Sequence, residues 1–348
     1  MNPASEKSSI LLIYTGGTIG MKEDPSIQAL RPFDFSQILA EVPELRKFAY
    51  KIDAVTFDPL IDSSDIEPDN WITLVRHIEE RYDDYDGFVI LHGTDTMAYS
   101  ASALSFMIEG LTKPIIFTGS QLPIGVPRTD GKENLISAVE IAAAKDENGH
   151  AIVPEVCICF DNILMRGNRT TKVNSDNFRA FRSENLPPLA EAGICIRYNT
   201  GIIITPEDWQ RRPIFHKTID TSVAILKLHP GITPQVARGI LCAPESHAVI
   251  LETYGAGNAP SKGWFLDLVQ EAINMGKIIL NVTQCRAGSV NMDIYATGKW
   301  LKEKGVVCGY DSTTESALAK LFFLMGQTKD RTRITDMLEK DLKGEISK

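Results

Sequence analysis

The chain is expected to fold as two α/β domains, a larger N-terminal domain with a mostly parallel sheet and a smaller C-terminal one. Three observations point there. Short apolar runs bounded by glycine or small polar residues alternate with helical patterns, the order that builds parallel sheets. This alternation weakens between about Ala190 and Thr221 and then resumes. The 348 residues also exceed the size at which a single hydrophobic core usually keeps growing. Residues 1–190 are therefore expected to form the N-terminal domain, 191–221 a linker with Arg211-Arg212-Pro213 at its middle, and 222–348 a C-terminal domain.

Ile10-Leu11-Leu12-Ile13 reads as a short buried strand running into Tyr14-Thr15-Gly16-Gly17-Thr18-Ile19-Gly20. Paired glycines at a strand exit let the backbone turn sharply and approach a ligand, because no Cβ intervenes. Met21 to Pro32 reads as a polar loop, and Asp34 as the N-cap of a helix carrying Ile38, Leu39, Val42 and Leu45. A strand around Ala54 to Phe57 leads to Asp62-Ser63-Ser64-Asp65. Pro68 then opens the clearest helix, with Trp71, Leu74, Val75 and Ile78 on one stripe. Gly87 to Leu91 is a buried strand entering His92-Gly93-Thr94-Asp95-Thr96, and a small-residue helix follows with Met97, Ala101, Leu104 and Ile108 on one face. The strand Pro114 to Thr118 ends in Gly119-Ser120-Gln121, a helix carries Leu135, Val139 and Ala142, and Val156 to Phe160 is a further strand. In the C-terminal domain Val223 to Leu228, Ala248 to Leu251 and Ile278 to Val282 are strands, and one intervening helix carries Trp264, Phe265, Leu268, Ala272 and Ile273. Two helices, Thr314 to Met325 and Arg333 to Leu342, close the chain.

Composition narrows the function classes. The formal charge of -9 comes from 36 basic and 45 acidic residues spread without a basic cluster, which argues against nucleic acid as a partner. The segment Met1 to Lys7 is polar and carries an acid, unlike a signal peptide, and no apolar run approaches the ~18 residues of a membrane span. The six cysteines, Cys157, Cys159, Cys195, Cys242, Cys285 and Cys308, show no C-x-x-C spacing and read as reduced thiols of a cytoplasmic protein. Cys157 and Cys159 would share one face of a strand in an apolar setting. The six histidines are scattered without ligand spacing, so no metal is expected, and His77 and His92 read as structural.

Ligands of open α/β sheets bind beyond the carboxyl ends of the strands. Small hydroxyl and carboxylate groups recur at that edge: Thr18, Asp62 with Ser63, Thr94 with Asp95, and Ser120. One such residue is ordinarily a helix cap, whereas four successive exits predict a pocket for something small and polar. The pocket lacks both nucleotide signatures. Thr15 stands where a dinucleotide fingerprint needs its first glycine, and no lysine stands where a phosphate loop needs one. A hydroxyl nucleophile served by a base remains. A threonine hydroxyl must lose its proton as it attacks, and Asp95 and Lys172 could provide for this through the second hydroxyl of Thr94. A base must be neutral, so burial of Lys172 has to offset the neighbouring carboxylate. Otherwise Lys172 is a structural ion pair.

With these motifs in order, Thr15-Gly16-Gly17-Thr18-Ile19 and His92-Gly93-Thr94-Asp95-Thr96-Met97 together, the chain resembles the bacterial-type L-asparaginase family. Asp62-Ser63-Ser64-Asp65, Gly167-Asn168-Arg169 through Lys172, Tyr254 through Pro260 and Thr283-Gln284-Cys285 resemble its cytoplasmic type I branch. The resemblance implies two α/β domains and hydrolysis of L-asparagine to aspartate and ammonia without a cofactor, by a homo-oligomer that is a dimer or a dimer of dimers. It implies Thr18 as the acylated nucleophile, with Thr94, Lys172 and Asp95 as a second triad. Asp95 would also hold the substrate ammonium, Ser63 and backbone groups beside Asp62 its α-carboxylate, and Ser120 its side-chain amide. Fixing the head group by charge-assisted hydrogen bonds leaves side-chain length to decide whether the amide reaches Thr18.

Two departures from the family stand out. Its mobile loop commonly carries a tyrosine that assists the nucleophile, and Leu30 stands near that place here. Tyr295 is the candidate replacement, or else an aromatic at a helix start packing on the core. Some relatives also respond to asparagine at a second site near Thr171 and Cys285, and Glu252 replaces an arginine expected beside it. A dual asparaginase-glutaminase, the amidase subunit of a transamidation complex and a non-catalytic amino-acid-binding regulator are the competing readings.

Overall fold

A computed structural model describes residues 7–24, 29–32 and 41–347, in two compact units. Residues 7–183 and 187–217 make up the first of these as described, and 184–186 with 218–347 the second.

The first unit is built on an eight-stranded sheet. Its chain runs β1 (Ser9–Tyr14), β2 (Met21–Asp24), β3 (Ala29–Pro32), β4 (Lys51–Thr56), α1 (Pro68–Arg81), β5 (Gly87–Leu91), α2 (Met97–Met107), β6 (Ile108–Glu109), β7 (Ile115–Thr118), α3 (Gly131–Ala143), β8 (Val156–Phe160), β9 (Ile163–Arg166), β10 (Thr171–Lys172), β11 (Phe181–Arg182), β12 (Ala190–Ala192), β13 (Ile196–Tyr198) and β14 (Ile214–Phe215). Strand order across the sheet is β13, β12, β9, β8, β7, β5, β1, β4. The five strands from β4 to β8 are parallel, and β9, β12 and β13 continue antiparallel. β5, β7 and β8 are buried at every residue, as their unbroken apolar runs require when both faces are covered.

From β1 the chain moves to β4 on one side and then to β5 on the other, so β1 is where the winding reverses. In open α/β sheets ligands bind beyond the carboxyl ends of the strands at such a reversal. Thr18, Ser63 and Thr94 follow β1, β4 and β5.

Several elements differ from expectation. Within the stretch expected to be a polar loop, Met21–Asp24 and Ala29–Pro32 pair as antiparallel strands β2 and β3, with Met21 opposite Pro32. The helix expected from Asp34 lies outside the described residues as far as position 40, as do the side chains around Leu30. Beyond it Val42 and Leu45 are buried and Pro43–Lys47 forms a 3₁₀ turn. Ile108, expected on the helix, begins β6 and pairs with Phe215. Part of the expected linker at 191–221 is drawn into the first unit, because β12 pairs with β9 and β13 while β14 pairs with β6.

The second unit is a four-stranded parallel sheet ordered β15 (Val223–Lys227), β16 (Ala248–Thr253), β17 (Ile278–Thr283), β18 (Val307–Cys308). Helices α4 (Pro234–Leu241), α5 (Gly263–Asn274), α6 (Ala296–Glu303), α7 (Thr314–Gln327) and α8 (Arg331–Leu338) accompany it. α4 is the helix expected between the first two of these strands, and it opens at Pro234 behind a Thr233 cap that accepts from Val236 N. The core joins Leu226, Val249, Leu251, Phe265, Ile279 and Leu301, among others.

Candidate active site

Backbone contact, before any side chain, gathers the strand exits of the first unit. Gly16 and Gly17 have φ of 138° and 92°, conformations that disfavour a side chain. A Cβ on Gly17 would lie 2.6 Å from both Cα and N of Gly93, and one on Gly16 would lie within 3.0 Å of the backbone N of Ile61. A Cβ on Gly93 would in turn meet Ser63 Oγ at 2.4 Å. Three loops, after β1, β4 and β5, thus touch at residues that each precede a reactive group. Thr18 follows Gly17, Asp62 follows Ile61, and Thr94 follows Gly93.

Hydrogen bonds fix the same loops. Thr15 N and Thr15 Oγ1 both donate to Leu91 O at 3.0 Å, and Ile61 N donates to Thr15 O at 2.8 Å. Thr96 Oγ1 donates to Ser63 O at 2.6 Å. Asp62 caps the turn Ser63–Asp65 by accepting from Ser64 N and Ser64 Oγ, both at 2.9 Å, and the backbone bond foremost holds its carboxyl below the usual range. Tyr14 OH donates to Gly17 O at 3.3 Å from beneath the loop, and burial pushes its phenol up to about 12.

The charged centre lies on two elements far apart in sequence. Lys172 Nζ, from β10, donates to Thr94 Oγ1 at 2.7 Å and to Asp95 Oδ1 at 2.6 Å. The Lys172 side chain is 18% exposed and that of Asp95 63% exposed. An ion pair so open to water adds little stability, ~1 kcal/mol at most. Its chemical value is that one carboxylate and one hydroxyl share a single amine. Thr94 Oγ1 also reaches Gln121 Oε1 at 3.4 Å, and Gln121 Nε2 donates to Asn177 O at 3.1 Å. Sequence reasoning reached Gln121 only as part of a strand exit. Its link to Thr94 depends on Asp130, which accepts from the Gln121 and Leu122 amides and so aims the turn.

The remaining expected residues fall into different surroundings. Ser120 is buried and donates to Leu122 O at 2.5 Å, so its hydroxyl proton serves the turn. Tyr295 belongs to the second unit, immediately before α6, and is 53% exposed instead of packing on the core. Glu252 in that unit accepts from Thr314 Oγ1 at 2.7 Å and pairs with Lys227 at 3.1 Å. Cys157 and Cys159 are buried in β8, where burial pushes both thiols up and keeps them protonated.

His92 is structural, as expected. It is 1% exposed, and Gly93 O lies 2.7 Å from Nδ1. A carbonyl can only accept, so Nδ1 carries the proton and Nε2 takes one from Ser100 Oγ at 2.9 Å. Ser100 Oγ in turn accepts from Trp71 Nε1 at 2.9 Å. Burial lowers the imidazole to about 4. The unfolded chain therefore binds a proton near pH 6.5 that the folded chain refuses until about 4, so stability falls as pH falls through that window. His92→Gln is expected to flatten the pH dependence of the unfolding free energy between pH 6.5 and 4, by up to about 3 kcal/mol relative to wild type, as read from urea melts. Parallel pH dependence in the two proteins would remove His92 as the cause.

Comparisons with known proteins agree along the whole length. The family model described as Asparaginase, N-terminal matches residues 9–203, and the Glutaminase/Asparaginase C-terminal domain matches 222–338. L-asparaginase 1 of Escherichia coli K12 is 44% identical over 98% of this chain and 99% of its own. The 60 kDa lysophospholipase of Mus musculus is 38% identical over 97% of this chain and 62% of its own. The crystal structure of L-asparaginase I from Vibrio cholerae superposes with a TM-score of 0.88 at 41% identity, covering 98% of this chain and all of that one.

Proposed function

Since the chain belongs to the asparaginase family, we propose that it hydrolyses L-asparagine to L-aspartate and ammonia through an acyl-enzyme on Thr18. The observation that carries this reading is Lys172 Nζ held between Thr94 Oγ1 and Asp95 Oδ1, one residue beyond the Gly17 to Gly93 contact. Thr18 Oγ attacks the side-chain carbonyl carbon, the carbon to nitrogen bond breaks, and the nitrogen leaves as ammonia with one added proton. Water then attacks the ester, the aspartate carboxylate departs, and the Thr18 hydroxyl regains its proton. Thr94 and Lys172 serve these proton transfers as a relay.

Asp95 has the further task of receiving the substrate ammonium. That second cation would share with Lys172 the one carboxylate that already accepts from Nζ at 2.6 Å. Ser63 and amides beside Asp62 are assigned the α-carboxylate, and Ser120 the amide. Tyr295 is proposed as the helper of Thr18 on the strength of the resemblance alone. A cytoplasmic homo-oligomer, dimer or dimer of dimers, belongs to the same proposal. Among the described residues no helix is long and apolar enough to cross a membrane.

Ammonia release measured side by side from asparagine and glutamine tests the assignment. The expected result is turnover of asparagine at least ~10-fold more efficient than of glutamine, since one methylene in a fitted site discriminates by that order. Equal efficiencies would favour the dual enzyme, and stabilisation by asparagine without any aspartate formed would favour a regulator.

A further inference from the structure

The second unit contains a cavity of about 330 Å³ at the amino ends of β15, β16 and β17, the edge of that sheet away from Thr253 and Thr283. Its lining is unbalanced in charge. Lys277, Lys329 and Arg331 face one carboxylate, Asp220, in a chain whose formal charge is -9. Asp220 is itself committed, accepting from Ser222 N at 3.0 Å and from Lys329 Nζ at 2.7 Å, with His247 Nδ1 at 3.7 Å. Counting His247 as neutral, three cations less one anion leave two positive charges.

Lys277 is the telling residue. It is 3% exposed, yet no carboxylate lies within salt-bridge distance among the described residues. Its Nζ donates to Ala243 O and, at 2.7 Å, to Ser246 Oγ, which leaves one of three N–H groups without a partner among them. Burial draws its pKa below the ordinary lysine value, while Cys242 and Glu245 act on it from farther away in the opposite sense. A buried cation is ordinarily matched by a buried anion. Lys320 in the same unit meets that rule through Glu345, whereas Lys277 borders an open cavity. Apolar walls complete the lining, from Met275, Met325 and Ile334.

We propose that this cavity is a binding site for a small organic phosphate. Its dianionic head meets Lys277, Lys329 and Arg331, and a short apolar body lies along Met275, Met325 and Ile334. Two excess positive charges match a dianion better than a single carboxylate, and the volume stands at the lower end of the usual range for small-molecule sites.

Titration calorimetry on the full-length protein with hexyl phosphate provides the test, using inorganic phosphate and hexanol as comparisons. Saturable binding of hexyl phosphate is expected, weakened about tenfold or more in Lys277→Met and in Arg331→Gln, with asparagine turnover unchanged. Inorganic phosphate should bind more weakly, and hexanol not measurably. Absence of hexyl phosphate binding, or equal binding by wild type and Arg331→Gln, would overturn the site, and the latter comparison stands even if Lys277→Met misfolds. Equal affinity for hexanol or for inorganic phosphate would overturn the assigned chemistry. Asparagine turnover, read separately, reports on the catalytic proposal.

Discussion

Purified Thr18→Ala protein is expected to remain folded and to release essentially no ammonia from asparagine, a loss of at least about 10⁴-fold. The substitution removes the oxygen proposed to carry the acyl group and leaves the Gly17 to Gly93 contact untouched. Lys172→Met should lose a comparable factor, because Thr94 then has no amine to exchange a proton with. The double variant should be scarcely worse than either alone, since parts of one relay fail together. Direct ammonia measurement on proteins with matching circular dichroism is sufficient. Near-normal turnover in Thr18→Ala would remove the hydroxyl from its assigned role and leave the fold assignment standing.

Lys320→Ala carries the largest expected effect on stability. Lys320 is buried in α7, its Nζ donating to Leu338 O at 2.9 Å and Lys340 O at 2.5 Å and pairing with Glu345 Oε1 at 2.5 Å. Glu345 is fully buried and also accepts from Leu342 N at 3.1 Å and Lys343 N at 2.7 Å. Truncation leaves a charge and two carbonyls without their partner, a loss of about 3–5 kcal/mol. Replacing both partners by Met and Leu should recover much of it, because the desolvated charges go together. Burial alone would push the Glu345 carboxyl up, but Lys320 and the amides outweigh it and hold the group below its ordinary value. The pair therefore stabilises above the ordinary carboxyl range, and its contribution is lost as pH falls through the depressed value. Guanidinium unfolding at neutral and acid pH measures both effects. A cost below ~1 kcal/mol for Lys320→Ala would mean the pair is no anchor.

What was legible in the chain follows from where each element finds its partners. β5, β7 and β8 announce themselves because both faces are covered and every residue is apolar. α1 does so because one face is wet and Trp71, Leu74, Val75 and Ile78 form a stripe. α2 has almost no polar face, and only its small residues signal a helix buried all round. β9, β12 and β13 escaped notice because they are short and take their register from neighbours in the sheet. β2 and β3 are four-residue strands, and nothing in the alternation of Met21-Lys22-Glu23-Asp24 declares the pairing.

The candidate site divides in the same way. Strand exits with small polar groups can be listed from local pattern, yet Lys172 meets Asp95 across 77 residues, beyond the reach of any periodicity. The chemistry a hydroxyl nucleophile needs makes Lys172 a candidate partner for Asp95 and Thr94, and the resemblance implies the same grouping. Gln121 is the converse case. It stood in a noticed motif, but its contact with Thr94 follows from the Asp130 turn, which is visible only when folded.

The glycine contacts have a bearing on protein engineering. Loops usually absorb mutation readily, so catalytic repertoires are commonly widened by randomising them. Here the loops after β1 and β5 meet main chain to main chain, and positions 16, 17 and 93 have no volume to offer. A library that varies those codons would spend most of its members on proteins whose loops cannot keep that contact. Diversity aimed at the 121–124 turn would alter the surroundings of Thr94 while keeping the glycine contacts.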